Sequence, residues 1–102
     1  VGQDAPAWID RVDPALVMEV HVAGHHADPA LGEALLIDGH DRPVAPAVWG
    51  LARRLLARCG PRPLLLERDG DVPAFEALMA ERGIAQGLLQ AHRPRRAEPL
   101  AA

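Results

Sequence analysis

Residues 17–23, VMEVHVA, alternate as a strand with one apolar side does: Met18, Val20 and Val22 share one face, and Glu19, His21 and Ala23 share the other. The plan returns at residues 63–69, PLLLERD, where Leu64 and Leu66 point one way and Leu65, Glu67 and Asp69 the other. Between them, residues 47–58 place Val48, Leu51, Leu55 and Leu56 at helical spacing, with Arg53, Arg54 and Arg58 over much of the opposite surface. Strand, helix and strand in that order predict an α/β fold with parallel strands, each apolar on the helix-covered side and bearing acids or histidine on the other.

The punctuation agrees. Residues 5–12 suit a short helix with Asp4 as N-cap and Pro6 in its first turn, and Asp13 with Pro14 breaks it. Gly60 and Pro61 stop the second helix, because glycine suits the left-handed cap and proline cannot continue a helix. A third helix is expected over residues 74–90, with Phe75, Leu78, Met79, Leu88 and Leu89 as its apolar positions; Gly83 and Gly87 weaken its second half. After Gly24, His25 and His26 fall in a loop, residues 28–33 read as an irregular excursion because of Pro29 and Gly32, and residues 35–38 resume extended structure. The domain is expected to span residues 1–91, with 92–102 a disordered tail.

With 102 residues the chain is well short of the roughly 250 of a closed eight-stranded α/β barrel. It begins at Val1, so a C-terminal piece of a longer protein is the expectation. Net charge is −3, and the basic residues are all arginine without interleaved aromatics, which argues against nucleic acid as a partner. No run of about 20 apolar residues is present to span a membrane. The single cysteine, Cys59, excludes an internal disulfide, is expected to pack at a helix end, and suits a reducing, cytoplasmic setting.

Residues 17–40 hold four of the chain's five histidines. His21, Glu67 and Asp69 are expected at the C-terminal ends of strands, where α/β barrels keep their reactive groups, and Asp38 and His40 arrive just beyond the short run Leu35, Leu36, Ile37. Imidazole and carboxylate donors with few thiolates suit non-haem iron, manganese or zinc. A carboxylate such as Glu67 has two oxygens and is able to bridge two ions. Asp69, on the same face, suits a role in orienting a ligand or water. Each has a plainer reading: an inward histidine is often a hydrogen-bonded core residue, Asp38 and Gly39 suit a turn, and His26 suits a solvated loop.

EVHVAGHH, LLIDGHDRPV, VWGLARRLL and PLLLERDGDVP occur in an order and spacing that resembles the MbnB/TglH family of multinuclear iron enzymes, over nearly all of residues 1–90. The family's first motif reads close to E-I/L-H-L-A-G-H, its second close to I-D-T-H with a following P-V, and its third close to L-I/L-E-x-D. Here Val22 replaces the leucine and Gly39 the threonine, and neither change touches a candidate ligand. The resemblance implies the C-terminal part of a TIM-like (β/α)8 barrel whose centre binds two or three iron ions. It implies O2-dependent modification of cysteines in ribosomally made peptides, with a partner protein presenting the substrate. It places metal ligands on His21, Asp38, His40 and Glu67, leaves His25 to orient a ligand or contact substrate, and puts the remaining ligands on earlier strands.

On the residues alone two other classes stay open. One is another divalent-metal barrel enzyme, a sugar isomerase or endonuclease-like hydrolase, since those barrels also gather His, Asp and Glu at strand ends. The other is a non-catalytic truncated remnant, whose unpaired strand edges would favour self-association.

Overall fold

The computed structural model describes residues 3–94. In chain order the elements are α1 (Ala5–Arg11), a 3-10 turn (Pro14–Leu16), β1 (Val20–Ala23), β2 (His26–Asp28), β3 (Gly32–Ile37), α2 (Pro46–Cys59), β4 (Leu64–Glu67) and α3 (Phe75–Ala91). β1 and β4 pair in parallel, Val20 opposite Leu64, His21 opposite Leu65, Val22 opposite Leu66 and Ala23 opposite Glu67. The chain is thus α/β with parallel strands and flanking helices. Of the expected tail, residues 92–94 are described and 95–102 lie outside the described residues.

One face of the β1 and β4 pair is the floor of the core. Val22, Val44, Trp49, Ala52, Leu56, Ala85 and Leu88 are buried together, with Val20, Leu64 and Leu66 packed against them. The alternation read from the two strands therefore points the expected way. α2 turns Trp49, Ala52 and Leu56 inward, a stripe that includes one large residue, Trp49, and one small one, Ala52, absent from the apolar positions expected for this helix. It ends as the Gly-Pro signal implies: Gly60 adopts φ 75 and its N–H bonds Leu56 O at 2.8 Å. α1 is capped by Asp4, whose carboxylate accepts from Ala7 N at 3.1 Å.

Three expectations are corrected. β1 starts at Val20 rather than Val17, and Met18 is 83% exposed instead of joining the apolar face. Val17 O is taken by the side chain of Arg62, whose Nε donates to it at 2.7 Å, in place of a ladder bond, and pairing begins where Val20 N bonds Pro63 O. α3 runs unbroken through Gly83 and Gly87, but buries only Ala85 and Leu88 and leaves Phe75 70% exposed. Its core-facing end is its second half, the half the glycines cast in doubt.

The largest correction is the histidine loop, which is an antiparallel hairpin of β2 and β3 with His26 opposite Ile37 and Ala27 opposite Leu36. The turn is chemically specified: Asp28 Oδ1 accepts from both Ala30 N and Leu31 N at 2.8 Å, Pro29 follows Asp28, and Gly32 takes φ 57. Asp, then Pro, then a left-handed Gly favours a tight turn, and the pairing register shifts between Ala27, opposite Leu36, and Asp28, opposite Gly32. The same Pro29 and Gly32 that suggested irregularity are what close the hairpin.

Candidate functional site

The open face of the parallel pair carries the chemistry. His21 and Glu67 point there because each lies one residue from a core position, Val22 and Leu66. They are diagonal neighbours, not directly opposite. Leu65, 49% exposed, faces His21, while Glu67 stands one rung further along at the end of β4. His21 is accordingly the second residue of β1 rather than at its C-terminal end.

Glu67 joins the two strands to the following loop. Its Oε1 stands 2.9 Å from His21 Nδ1 and its Oε2 stands 3.2 Å from His40 Nδ1. The other nitrogen of His40 lies 2.7 Å from Asp38 Oδ1, and Asp69 Oδ2 is 3.8 Å from His40 Nδ1. Four residues assigned as ligands from the sequence therefore come together, with Asp69 at their margin. The side chains of Asp38 and Asp69 are largely exposed, whereas those of His40 and Glu67 are about three-quarters covered. The site opens outward through its aspartates.

His40 is placed by its backbone. Its φ is 51, in the left-handed region that non-glycine residues occupy sparingly. Its N–H bonds Gly24 O at 3.3 Å, and its carbonyl accepts from Asp69 N at 3.0 Å and Gly70 N at 3.3 Å. One residue thus ties the end of β1 to the end of β4. Gly24 permits this, because a Cβ there would sit 2.1 Å from Arg42 O. The two ends of the connection from β1 to α2 meet at a distance only backbone allows.

Other residues fall differently. His25 links β1 to β2 and makes no side-chain hydrogen bond or ion pair among the described residues. His26 is not a solvated loop residue: its side chain is 18% exposed and Nδ1 lies 3.5 Å from Asp41 Oδ1. His92 is remote in role, bonding Leu88 O at the end of α3. Glu19, recognised from the sequence as sharing a face with His21, also approaches it, at 3.3 Å from Nε2. The signal for Glu19 was its spacing of two on a strand.

As to an ion, the donors fit in kind: two imidazoles and three carboxylates, a mixed set of the sort non-haem iron takes. They also fit pairwise, since two donors at ~2.1 Å from one ion and at right angles are ~3 Å apart, near the separations of 2.7, 2.9 and 3.2 Å found. Yet among the described residues no group of three or more His, Cys, Asp and Glu side chains is arranged to hold an ion. The nitrogens face carboxylate oxygens in pairs instead of facing a common centre, as mutually attracting polar groups do.

Comparison with known proteins gives this cluster a context. The UPF0276 protein of Caulobacter sp. (strain K31) is 49% identical over 89 residues, covering 87% of this chain and 32% of the relative. The UPF0276 protein of Bordetella parapertussis is 48% identical over 93 residues, covering 85% and 32%. The chain spans about a third of the length of these curated relatives. No solved structure matches it significantly. A family model described as RiPP precursor modification enzyme MbnB/TglH/ChrH matches residues 1–90, and with the four motifs carried on one βαβ frame and its hairpin, the chain belongs to that family.

Proposed function

We propose that this chain supplies His21, Asp38, His40 and Glu67 to a multinuclear iron centre that carries out O2-dependent modification of cysteine residues in a ribosomally made peptide. The observation that carries the reading is the split of Glu67, one carboxylate oxygen toward each of two histidines from different segments. Membership of a family of RiPP precursor modification enzymes supports a peptide as substrate. Two or three irons and a presenting partner protein complete the reading, with the remaining ligands contributed from outside these residues, in an (β/α)8 barrel of which these strands form part.

Bound iron would supply the activation of O2. The chain's own residues would hold it: His21 and His40 through ring nitrogens, Glu67 through a carboxylate whose two oxygens are divided between those histidines, and Asp38 from beside His40. Asp69, exposed beside His40, would orient a ligand or water. His25, in the short link between β1 and β2, is assigned to orienting a ligand or contacting the peptide.

The test uses the whole protein with its peptide. His21→Ala and Glu67→Ala are expected to lose iron, by elemental analysis, together with the O2-dependent mass change in the peptide, whereas His92→Ala keeps both. Unchanged iron in both site variants would refute the ligand assignment. Full turnover with zinc or manganese in the absence of O2 would replace the oxygenase with a hydrolase or isomerase.

A further inference from the structure

His26 and Asp41 form a second pairing that the candidate iron site does not use. His26 begins β2 and Asp41 directly follows His40. His26 Nδ1 and Asp41 Oδ1 are both shut off from solvent and have no hydrogen-bond partner, yet they face each other across 3.5 Å. Ordinary N–H···O bonds run ~2.7–3.2 Å, so a shift of a few tenths of an ångström joins them. Buried polar atoms left single are rare in folded proteins, and here each is the other's nearest remedy.

The surroundings show what the pairing would hold. A Cβ on Gly39 would lie 2.7 Å from Asp41 Oδ1 and from His26 Nδ1 and Cε1, so the imidazole and carboxylate sit directly on the backbone that leads into His40. On its other side Asp41 abuts the β4 to α3 loop, where a Cβ on Gly70 would meet Asp41 Cβ at 3.0 Å. The left-handed backbone of His40 thus lies between Gly39, pressed by the pair, and Asp41, wedged against Gly70.

We propose that His26 and Asp41 are positioning residues: an imidazole and carboxylate latch, Nδ1–H donating to the solvent-shielded Oδ1, that clamps residues 39–41 between the β2, β3 hairpin and the β4 loop and so aims His40 at Glu67. The role in metal binding rests on the iron reading above, whereas the latch itself does not.

The whole protein is tested with His26→Phe, which keeps a ring over Gly39 but has no donor, and His26→Asn, whose side-chain amide places an N–H close to the Nδ1 position. In metal-free protein, amide exchange at His40, Asp69 and Gly70, the three N–H groups of the His40 backbone bonds, is expected to rise about tenfold in His26→Phe while α2 amides are unchanged. His26→Asn restores it. With Co2+ as the probe, His26→Phe weakens binding about tenfold and shifts the ligand-field spectrum, and His26→Asn restores both. Wild-type exchange in His26→Phe, or no rescue by a folded His26→Asn, overturns the latch. Altered exchange with an unaltered Co2+ spectrum overturns its aiming of His40. If the wild-type protein takes up no metal, the iron reading fails and the exchange measurement alone decides the latch.

Discussion

The parallel pair of β1 and β4 and the hairpin of β2 and β3 are both two-stranded, yet they stand on different physics. The first is backed by helices: Val20, Val22, Leu64 and Leu66 rest on a core that includes Leu56, fully buried at 0% exposure. The second has no buried residue, and Leu35 and Leu36 are substantially exposed. Packing therefore defines one sheet, and turn chemistry with backbone pairing defines the other. The candidate site draws on both, Glu67 and His21 from the rigid pair and Asp38 and His40 from the end of the hairpin. A rigid carboxylate and histidine meeting a second histidine from a more yielding segment is an arrangement that admits adjustment around a ligand.

The sharpest break in this comparison is a matched pair of truncations. Leu56→Ala removes atoms from a site with no exposure and is expected to cost roughly 2–5 kcal/mol, since the cavity term adds to the lost transfer energy. Leu36→Ala removes the same atoms from a residue 49% exposed and is expected within about 0.5 kcal/mol of wild type. Denaturant unfolding of the whole protein measures both. Equal costs would mean that the hairpin is packed against something and that the contrast is wrong.

That contrast also explains what was legible in the sequence. Val20, Val22, Leu64 and Leu66 alternate because one side of each strand is buried, and burial is what writes a period of two. The gathering of His21, Glu67, Asp38 and His40 followed from that alternation and from the family motifs. The hairpin left no such imprint, because neither of its faces is buried. Its only signal was Asp28, Pro29 and Gly32, which suits a tight turn and a loop alike until the bonds to Ala30 and Leu31 are known. His26 looked solvated for the same reason: its cover comes from Gly39 and Asp41 across the hairpin, contacts that spacing along one strand does not encode. Met18 failed differently. It continued the pattern of β1 past the point where Arg62 takes Val17 O out of the ladder.

A smaller effect sharpens the comparison from the hairpin side. Asp28→Ala removes an acceptor shared by two N–H groups in an exposed turn, and is expected to cost about 1 kcal/mol. The loss is expected to be local: amides of β2 and β3 exchange faster, while those of β1 and β4 keep their protection. Uniform loss of protection across both sheets would show one cooperative unit where the packing suggests two.

The smallest effect concerns α1, which lies on α2 through ion pairing at the surface. Arg54 donates from Nε to Asp10 Oδ1 at 2.8 Å and from Nη2 to Oδ2, and Arg58 donates to Ile9 O and Val12 O at 2.6 and 2.7 Å. The Arg54 hydrogen bond chiefly holds the Asp10 carboxyl below the usual carboxylate range, against a smaller opposing effect of desolvation. Arg54 is raised correspondingly, which matters only at strongly alkaline pH. A carboxyl with a depressed folded pKa contributes stability above its unfolded value, about 3.9, and loses it as pH falls through the folded value. Comparing the melting temperatures of wild type and Asp10→Asn should thus give a small, constant gap from pH 8 to pH 5 that closes below about pH 4. Because the pair is exposed, 1 M salt should narrow the gap at neutral pH. A gap that persists at pH 2 would place the stabilisation in the packing of Ile9 and Val12 instead of in the charge on Asp10.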